Sequence, residues 1–282
     1  MIEQDALLAP WRERWGLEAD GEALTTASSV LQPVRRGHDR LFLKLAASPE
    51  ERAGNAVLTW WRGHGAAAVL ESDENAVLVE RAMGGGDLAE LARSGPDGDD
   101  GATRILCRTG TTVHGTFDRP RPDGLFSLRR WFRDLLDRAA SPSSADGLFA
   151  DAAAVADDLL AHPAGDVVLH GDLHHGNVLD FGERGWLAID PKPVHGDPGF
   201  DVANILCNPD PQVALRADRL ERTVAVIAQE TGMTPQRVLQ WGLAWGALSA
   251  TWAALDGAPT GSSGAAGAAA GVARRARALL AP

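Results

Sequence analysis

The stretch Leu169-His170-Gly171-Asp172-Leu173-His174-His175-Gly176-Asn177-Val178-Leu179 constrains this chain more than any other. Val167, Val168 and Leu169 read as a short buried strand that delivers Asp172 into a glycine-flanked loop. Asn177 follows five residues later, immediately before the next apolar pair. Further on, Trp186-Leu187-Ala188-Ile189 reads as a strand that pairs with 177–180 and ends on Asp190. That pairing predicts Asp190 beside Asn177.

Two carboxylates and an amide brought together this way suit phosphoryl transfer. The reaction needs a carboxylate to orient the attacking hydroxyl and accept its proton, and oxygen ligands for Mg²⁺ near the same phosphates. Asp172 suits the first task, and Asn177 with Asp190 suits the second, since Mg²⁺ takes a few protein oxygens and fills its octahedron with phosphate and water. Protein kinases use His-Arg-Asp followed by Asn; here Gly171 stands where that motif has arginine. A bare Gly-Asp is an ordinary turn, and the register of His170, His174, Asn177 and Asp190 argues for catalysis. The three histidines lack the helical spacing and third ligand of a zinc site, so they read as structural hydrogen-bonding groups.

Around this loop the chain divides into a β-rich first third and a mainly helical remainder. Helical spacing of Leu7, Leu8, Trp11 and Trp15 predicts a leading helix over 3–15. Ser28–Val34 and Arg40–Leu45 around Gly37 predict a hairpin, 49–64 a helix opening on acids, and Val69-Leu70 and Val77–Val79 two more strands. Met83-Gly84-Gly85-Gly86-Asp87 reads as a hinge ending in a helix N-cap. Helices are expected over roughly 102–117, 127–140 and 147–161, then three or more after 191. The Gly/Ala/Ser-rich 257–273 reads as a loose linker before a last helix at about 272–281. Trp241, Trp245 and Trp252 read as a core stripe rather than a sugar platform.

The formal charge of −11 disfavours nucleic acid and would suit a cationic substrate, although a solubility surface explains it as well. Cys107 and Cys207 make no CxxC pair, no apolar run reaches membrane-spanning length, and the N-terminus lacks a secretory pattern. The expected location is the cytoplasm, with no membrane, nucleic-acid or obligate protein partner.

HGDLHHGN, then AIDP, then GDPGFDVAN resembles the aminoglycoside phosphotransferase superfamily. The longer LHGDLHHGNVLDFG with RGWLAIDP resembles its streptomycin 6-phosphotransferase and hydroxyurea phosphotransferase branch. The resemblance implies an α+β, protein-kinase-like two-lobed fold: a small β-rich N-lobe over 1–82 and a larger, mainly helical C-lobe over 83–282. It implies ATP and Mg²⁺, with Asp172 as catalytic base, Asn177 and Asp190 holding Mg²⁺, and Lys44 on the α/β phosphates. It matches Ser28 and Ser29 to the phosphate-covering loop and Glu51, or the adjacent Glu50, to the glutamate that pairs with the lysine. Val79–Ala82 would run along the adenine, with backbone groups of Glu80 and Ala82 binding the base. Asp201 would brace the catalytic loop; Asp197 stays open between substrate ligand and backbone cap. The implied acceptor is a small hydroxylated, cationic molecule such as streptomycin, which gives a resistance role. Hydroxyurea or another metabolite is the alternative acceptor. A silent nucleotide-binding protein and a metal hydrolase using His170, His174 and Asp172 are the readings from other classes.

Overall fold

The computed structural model describes residues 2–26, 28–140, 147–257 and 264–281. Period-two alternation organises the N-terminal part. Strands β1 (Glu18–Ala19), β2 (Leu24–Thr25), β3 (Ser29–Arg36), β4 (Asp39–Ala46), β5 (Val69–Ser72) and β6 (Ala76–Glu80) form an antiparallel sheet. Its order is β1-β3-β4-β6-β5, with β2 also on β3. Leu41, Leu43 and Leu78 bury one face with Leu8 of helix α1 (Ile2–Trp15). Val77 and Val79 belong to the opposite face, where Val57, Leu58 and Trp61 of helix α2 (Pro49–Trp61) pack. Phe42 and Lys44 pair across the sheet with Val79 and Val77, so the same alternation turns Lys44 toward α2.

Helix α2 starts where its sequence says it should. Ser48 accepts the Glu51 N–H at 3.1 Å, Pro49 takes the first turn, and Glu50 and Glu51 complement the positive helix end. It stops at Trp61 rather than 64, because Arg62 turns into the left-handed region at φ 52°. The two-residue β2 is too short to leave a periodic signal.

The C-terminal part continues with α3 (Leu88–Arg93), α4 (Pro96–Val113), β7 (Phe126–Ser127), α5 (Leu128–Trp131), α6 (Arg133–Ala139), α7 (Gly147–Ala161) and β8 (Val167–Val168). Strands β9 (Val178–Asp180), β10 (Trp186–Ala188) and β11 (Val194–Gly196) follow. Helices α8 (Gly199–Cys207), α9 (Pro211–Ala214), α10 (Arg219–Thr231), α11 (Pro235–Leu255) and α12 (Ala265–Leu280) complete it. Asp87 caps α3, accepting from Ala89 and Glu90. The helix expected over 102–117 begins earlier, on Pro96, and the one expected over 127–140 is divided at Phe132. Phe132, Phe200 and Trp241 meet ring to ring in the helical core, with centroids 5.8–6.2 Å apart.

The expected loose linker over 257–273 is corrected in its second half; residues 258–263 lie outside the described residues. Helix α12 already begins at Ala265, and Gly267, Ala268, Ala269, Ala270 and Ala273 are buried. Small residues serve close packing here: a Cβ on Gly246 of α11 would stand 2.6 Å from Ala269 O.

Gly84 and Gly86 are needed by contact. Gly84 N–H and Gly86 N–H donate to Asp180 O and Oδ2 at 2.9 and 3.0 Å, and a Cβ on Gly84 would fall 2.0 Å from Asp180 Cγ. Ala66 and Ala188 form a parallel bridge between the chain after α2 and β10. The architecture is α+β and two-lobed, a β-sheet N-lobe and a helical C-lobe. Among the described residues no helix is long and apolar enough to cross a membrane. Cys107 and Cys207 are free, and burial pushes both thiols up to about 12.

Candidate active site

A cavity of about 340 Å³ opens between the sheet and the β9–β10 hairpin. One part is apolar, walled by Leu31, Phe42, Val79, Leu179, Phe181 and Ile189. The other is charged, with Lys44, Glu51, Asn177 and Asp190 converging on it. A lining that combines apolar side chains with a lysine and carboxylates suits a nucleotide, whose base is planar and whose phosphates are anionic.

Pairing of β9 with β10 sets Val178 opposite Ala188, which carries Asn177 and Asp190 to the same end of the hairpin. Asp190 has φ 57°, a left-handed conformation that aspartate tolerates better than most residues. Lys44 pairs with Oδ1 of Asp190 and with Oε1 of Glu51. The pairing with Glu51, rather than Glu50, decides the alternative left open by the sequence. Burial disfavours the Asp190 carboxylate, but Lys44 and Lys192 outweigh it and bring its pKa down to about 2. The site therefore holds this group ionised at neutral pH.

Asp172 lies on the loop between β8 and β9 with both carboxylate oxygens engaged. Asn204 Nδ2 donates to Oδ1 at 2.9 Å, and Asn177 Nδ2 to Oδ2 at 3.2 Å and to the Asp172 carbonyl at 2.9 Å. His174 Nε2 stands 3.7 Å from Oδ2. With its nitrogen turned to Asp172, the Asn177 amide keeps Oδ1 as its acceptor, an oxygen of the kind Mg²⁺ takes. Asp201 braces the loop from α8, accepting the N–H of His170 and Gly171 at 2.7 and 2.8 Å, with His114 Nε2 2.7 Å away. Asp197 caps backbone, accepting the N–H groups of Ala164 and Gly199, and also accepts from the Arg237 guanidinium.

The histidines divide. His170 Nε2 contacts Ile189 O at 2.8 Å, and His174 Nδ1 accepts the Gly176 N–H at 3.0 Å. Neither ring nitrogen of the buried His175 has a hydrogen-bond partner among the described residues, so it departs from the hydrogen-bonding expectation. Burial holds it neutral, its pKa lowered to about 3. No cluster of three or more His, Cys, Asp or Glu side chains among the described residues is arranged to hold a metal, which leaves the hydrolase reading without a site.

Ser28, Ser29, Glu80 and Ala82 all line the cavity. Ser29 gives its hydroxyl to Glu51 Oε1 at 3.0 Å, and the N–H groups of Ser28 and Ser29 point to Thr26 Oγ1 at 3.3 and 3.0 Å. Glu80 turns its carboxylate to Ala68 N–H and Arg184, and its own N–H donates to Ala68 O at 3.0 Å.

Two residues escaped sequence reasoning. Asn204 carries a signal in retrospect, sitting one helical turn beyond Asp201 on the same face. Lys192 carried none; it lies 3.6 Å from Asp190 Oδ2 and 3.7 Å from Glu51 Oε2. Burial works against its charge, and Asp190, Glu51, Asp172 and Glu50 outweigh that, so its pKa is raised.

Beside Glu50 is a second cavity, of about 380 Å³, lined also by Arg130, Trp131, Arg133, Asp134 and Trp252. Trp241 and Trp245 are buried as the core stripe requires, while Trp252 lines this cavity and donates to Asp134 Oδ2 at 3.0 Å.

The family model described as aminoglycoside/hydroxyurea antibiotic resistance kinase matches residues 14–257. A streptomycin 3''-kinase of Klebsiella pneumoniae is 49% identical over 250 residues, covering 87% of this chain and 91% of that protein. A streptomycin 6-kinase of Streptomyces griseus is 36% identical over 208 residues, covering 70% and 64%. Among solved structures, a thermostable mutant of the aminoglycoside phosphotransferase APH(4)-Ia in a ternary complex with ADP and hygromycin B superposes with a TM-score of 0.63 at 16% identity, covering 98% of each chain. The likeness of fold is to kinase-type phosphotransferases.

Proposed function

The chain belongs to the aminoglycoside/hydroxyurea antibiotic resistance kinase family, phosphotransferases with a hydroxyl acceptor, and from that premise we propose that it moves the γ-phosphoryl group of ATP to streptomycin in the cytoplasm. Asn177 is the observation that carries this reading. It lines the cavity that holds Lys44 and Asp190 and at the same time holds Asp172, so the charged lining and the base meet at one side chain.

Asp172 orients the acceptor hydroxyl and takes its proton. The oxygen attacks the γ-phosphorus, an O–P bond forms, the bond to the β–γ bridging oxygen breaks, and ADP leaves with that electron pair. Asn177 and Asn204 fix the carboxylate in place, so little reorganisation accompanies reaction. Lys44, held by Glu51, neutralises the α/β phosphates. Val79–Ala82 run along the base, Glu80 and Ala82 meet it through their backbone, and Ser28 and Ser29 cover the phosphates. The ionised Asp190 and the Asn177 oxygen are a fitting donor pair for Mg²⁺, which supplies charge neutralisation at the phosphates.

The cavity beside Glu50 is the acceptor side in this reading. Glu50 and Asp134 suit guanidinium groups, and the indoles of Trp131 and Trp252 offer apolar walls to a sugar. Phe126, which also lines this cavity, donates its N–H to the carbonyl of Pro193, the residue after Lys192, at 2.7 Å. Relatives are named for both the 6- and the 3''-hydroxyl, so the carbon modified is to be read from the product.

The deciding assay is ADP release with Mg·ATP, with and without streptomycin, beside Asp172→Ala. Streptomycin-stimulated release that the substitution abolishes supports the reading, and mass and NMR analysis of the product then gives the position. Stimulation by hydroxyurea and not by streptomycin would replace the acceptor; release that survives Asp172→Ala would remove the base.

A further inference from the structure

The loop that carries Asp172 has glycine where protein kinases have arginine, so one positive charge is missing from the motif. The fold returns a charge to that place. Gly171 adopts φ 79°, and a Cβ built on it would lie 2.8 Å from Lys192 Cβ and 3.5 Å from Lys192 Cα. The stem of Lys192 thus occupies the room that a side chain at 171 would take.

Lys192 is also fixed in backbone. Its N–H donates to His170 O at 2.7 Å, and prolines flank it on both sides. Helix α2 presses on the preceding residue, since a Cβ on Gly54 would stand 2.3 Å from Pro191 O. The two lysines share their carboxylates unequally. Lys44 takes Asp190 Oδ1 and Glu51 Oε1 in close contact, and Lys192 faces the remaining oxygens at 3.6 and 3.7 Å. Those separations exceed the roughly 2.7–2.9 Å of a charge-assisted hydrogen bond. Its ammonium is attracted toward Asp190 and Glu51 without its donors being consumed there, and its side chain keeps 20% exposure.

We propose that Lys192 is a second phosphate-binding cation, contacting the γ-phosphoryl oxygens as the group passes from ATP to the acceptor. This rests on the kinase reading above and adds a residue to it. The lysine keeps its protons throughout; the acceptor proton goes to Asp172 and the bridging electron pair to ADP. Its charge meets the phosphoryl group where negative charge accumulates, which is where a preorganised donor contributes most.

The test uses the full chain with Lys192→Met and Lys192→Arg. Affinities for Mg·ADP and for the Mg complex of the non-hydrolysable ATP analogue AMP-PNP are measured without acceptor, and ADP release with it. A γ-phosphoryl contact predicts ADP affinity unchanged within about twofold and AMP-PNP affinity about tenfold weaker in Lys192→Met. It predicts kcat down by roughly 10²–10³, partly restored in Lys192→Arg. Equal weakening of both nucleotides together with a lowered Tm would make Lys192 a brace for Glu51 and Asp190 and overturn the assignment. So would a kcat within threefold of the unmodified protein. If the unmodified protein releases ADP with no acceptor tried, the kinase reading fails by itself, while the ADP and AMP-PNP comparison still reports on Lys192.

Discussion

Asn204 donates its side-chain amide to Asp172 Oδ1 at 2.9 Å, holding the carboxylate oxygen that Asn177 does not. Helix α8 therefore acts twice on the loop, bracing its backbone through Asp201 and aiming its carboxylate through Asn204. Replacing Asn204 by Leu should lower kcat by about 10–100-fold, because small misplacements of a reacting group are costly. The KM for ATP should stay within about threefold. Steady-state ADP release at varied ATP separates these effects, and a rise in KM alone would assign Asn204 to nucleotide binding.

Asp201 predicts an acid-sensitive stability. Burial opposes its charge, but the His114 contact, the nearby histidines and the loop N–H groups prevail and hold its pKa below the usual carboxylate value. A depressed folded pKa means a contribution present above the unfolded value of about 3.9 and lost as pH falls through the folded one. Asp201→Asn should cost about 2–3 kcal/mol at pH 7, the scale of a charged acceptor lost to buried donors. The Tm gap between the two proteins should be widest above pH 5 and narrow toward pH 3. A gap independent of pH over that range would show that the charge of Asp201 is not what stabilises the loop.

Arg219 and Asp99 form a fully buried pair, with Nε 2.9 Å from Oδ2 and Nη2 3.0 Å from Oδ1. Arg219 also donates to the carbonyls of Leu206 and Asn208 at 2.8 Å, tying α10 to α4 and to the end of α8. Asp99 also accepts from Arg222 Nη2 at 2.7 Å, so Asp99→Asn strands the buried Arg219 and should destabilise by about 3–5 kcal/mol, while Arg219→Met leaves Asp99 its second arginine and should cost less. Denaturant melts of the single and double variants check this. The double variant should lose less than the sum of the two, since it strands neither charge.

Close packing of α11 on α12 makes Gly246 intolerant of a methyl. Gly246→Ala should destabilise by about 1–3 kcal/mol, because its Cβ meets the backbone of Ala269 at 2.6 Å. Gly101 is the control: it lies within α4 and an added Cβ meets nothing nearer than 3.9 Å. Gly101→Ala should gain about 0.5–1 kcal/mol from helix propensity. Thermal melts of the two variants should therefore shift in opposite directions.

Sequence by itself determined the elements whose cause is local. Ser48-Pro49-Glu50-Glu51 starts α2, alternation along 39–46 turns Lys44 away from Leu43, and Asp87 caps α3 after the glycine hinge. The loop around Asp172 and the β9–β10 pairing that brings Asn177 and Asp190 together were legible for the same reason: spacing within a few residues sets which side chains share a face. Tertiary structure decided what distant segments do to each other. Lys44 meets Asp190 across 146 positions, and Asn204 meets Asp172 across 32. Lys192 reads as one more charge after a proline until the fold sets its stem against Gly171. The Gly/Ala-rich run before 273 looks like a linker until α11 supplies a surface close enough for small residues to be an advantage. Local pattern encodes backbone conformation and facing; proximity, burial and shared charge exist only once the chain has packed.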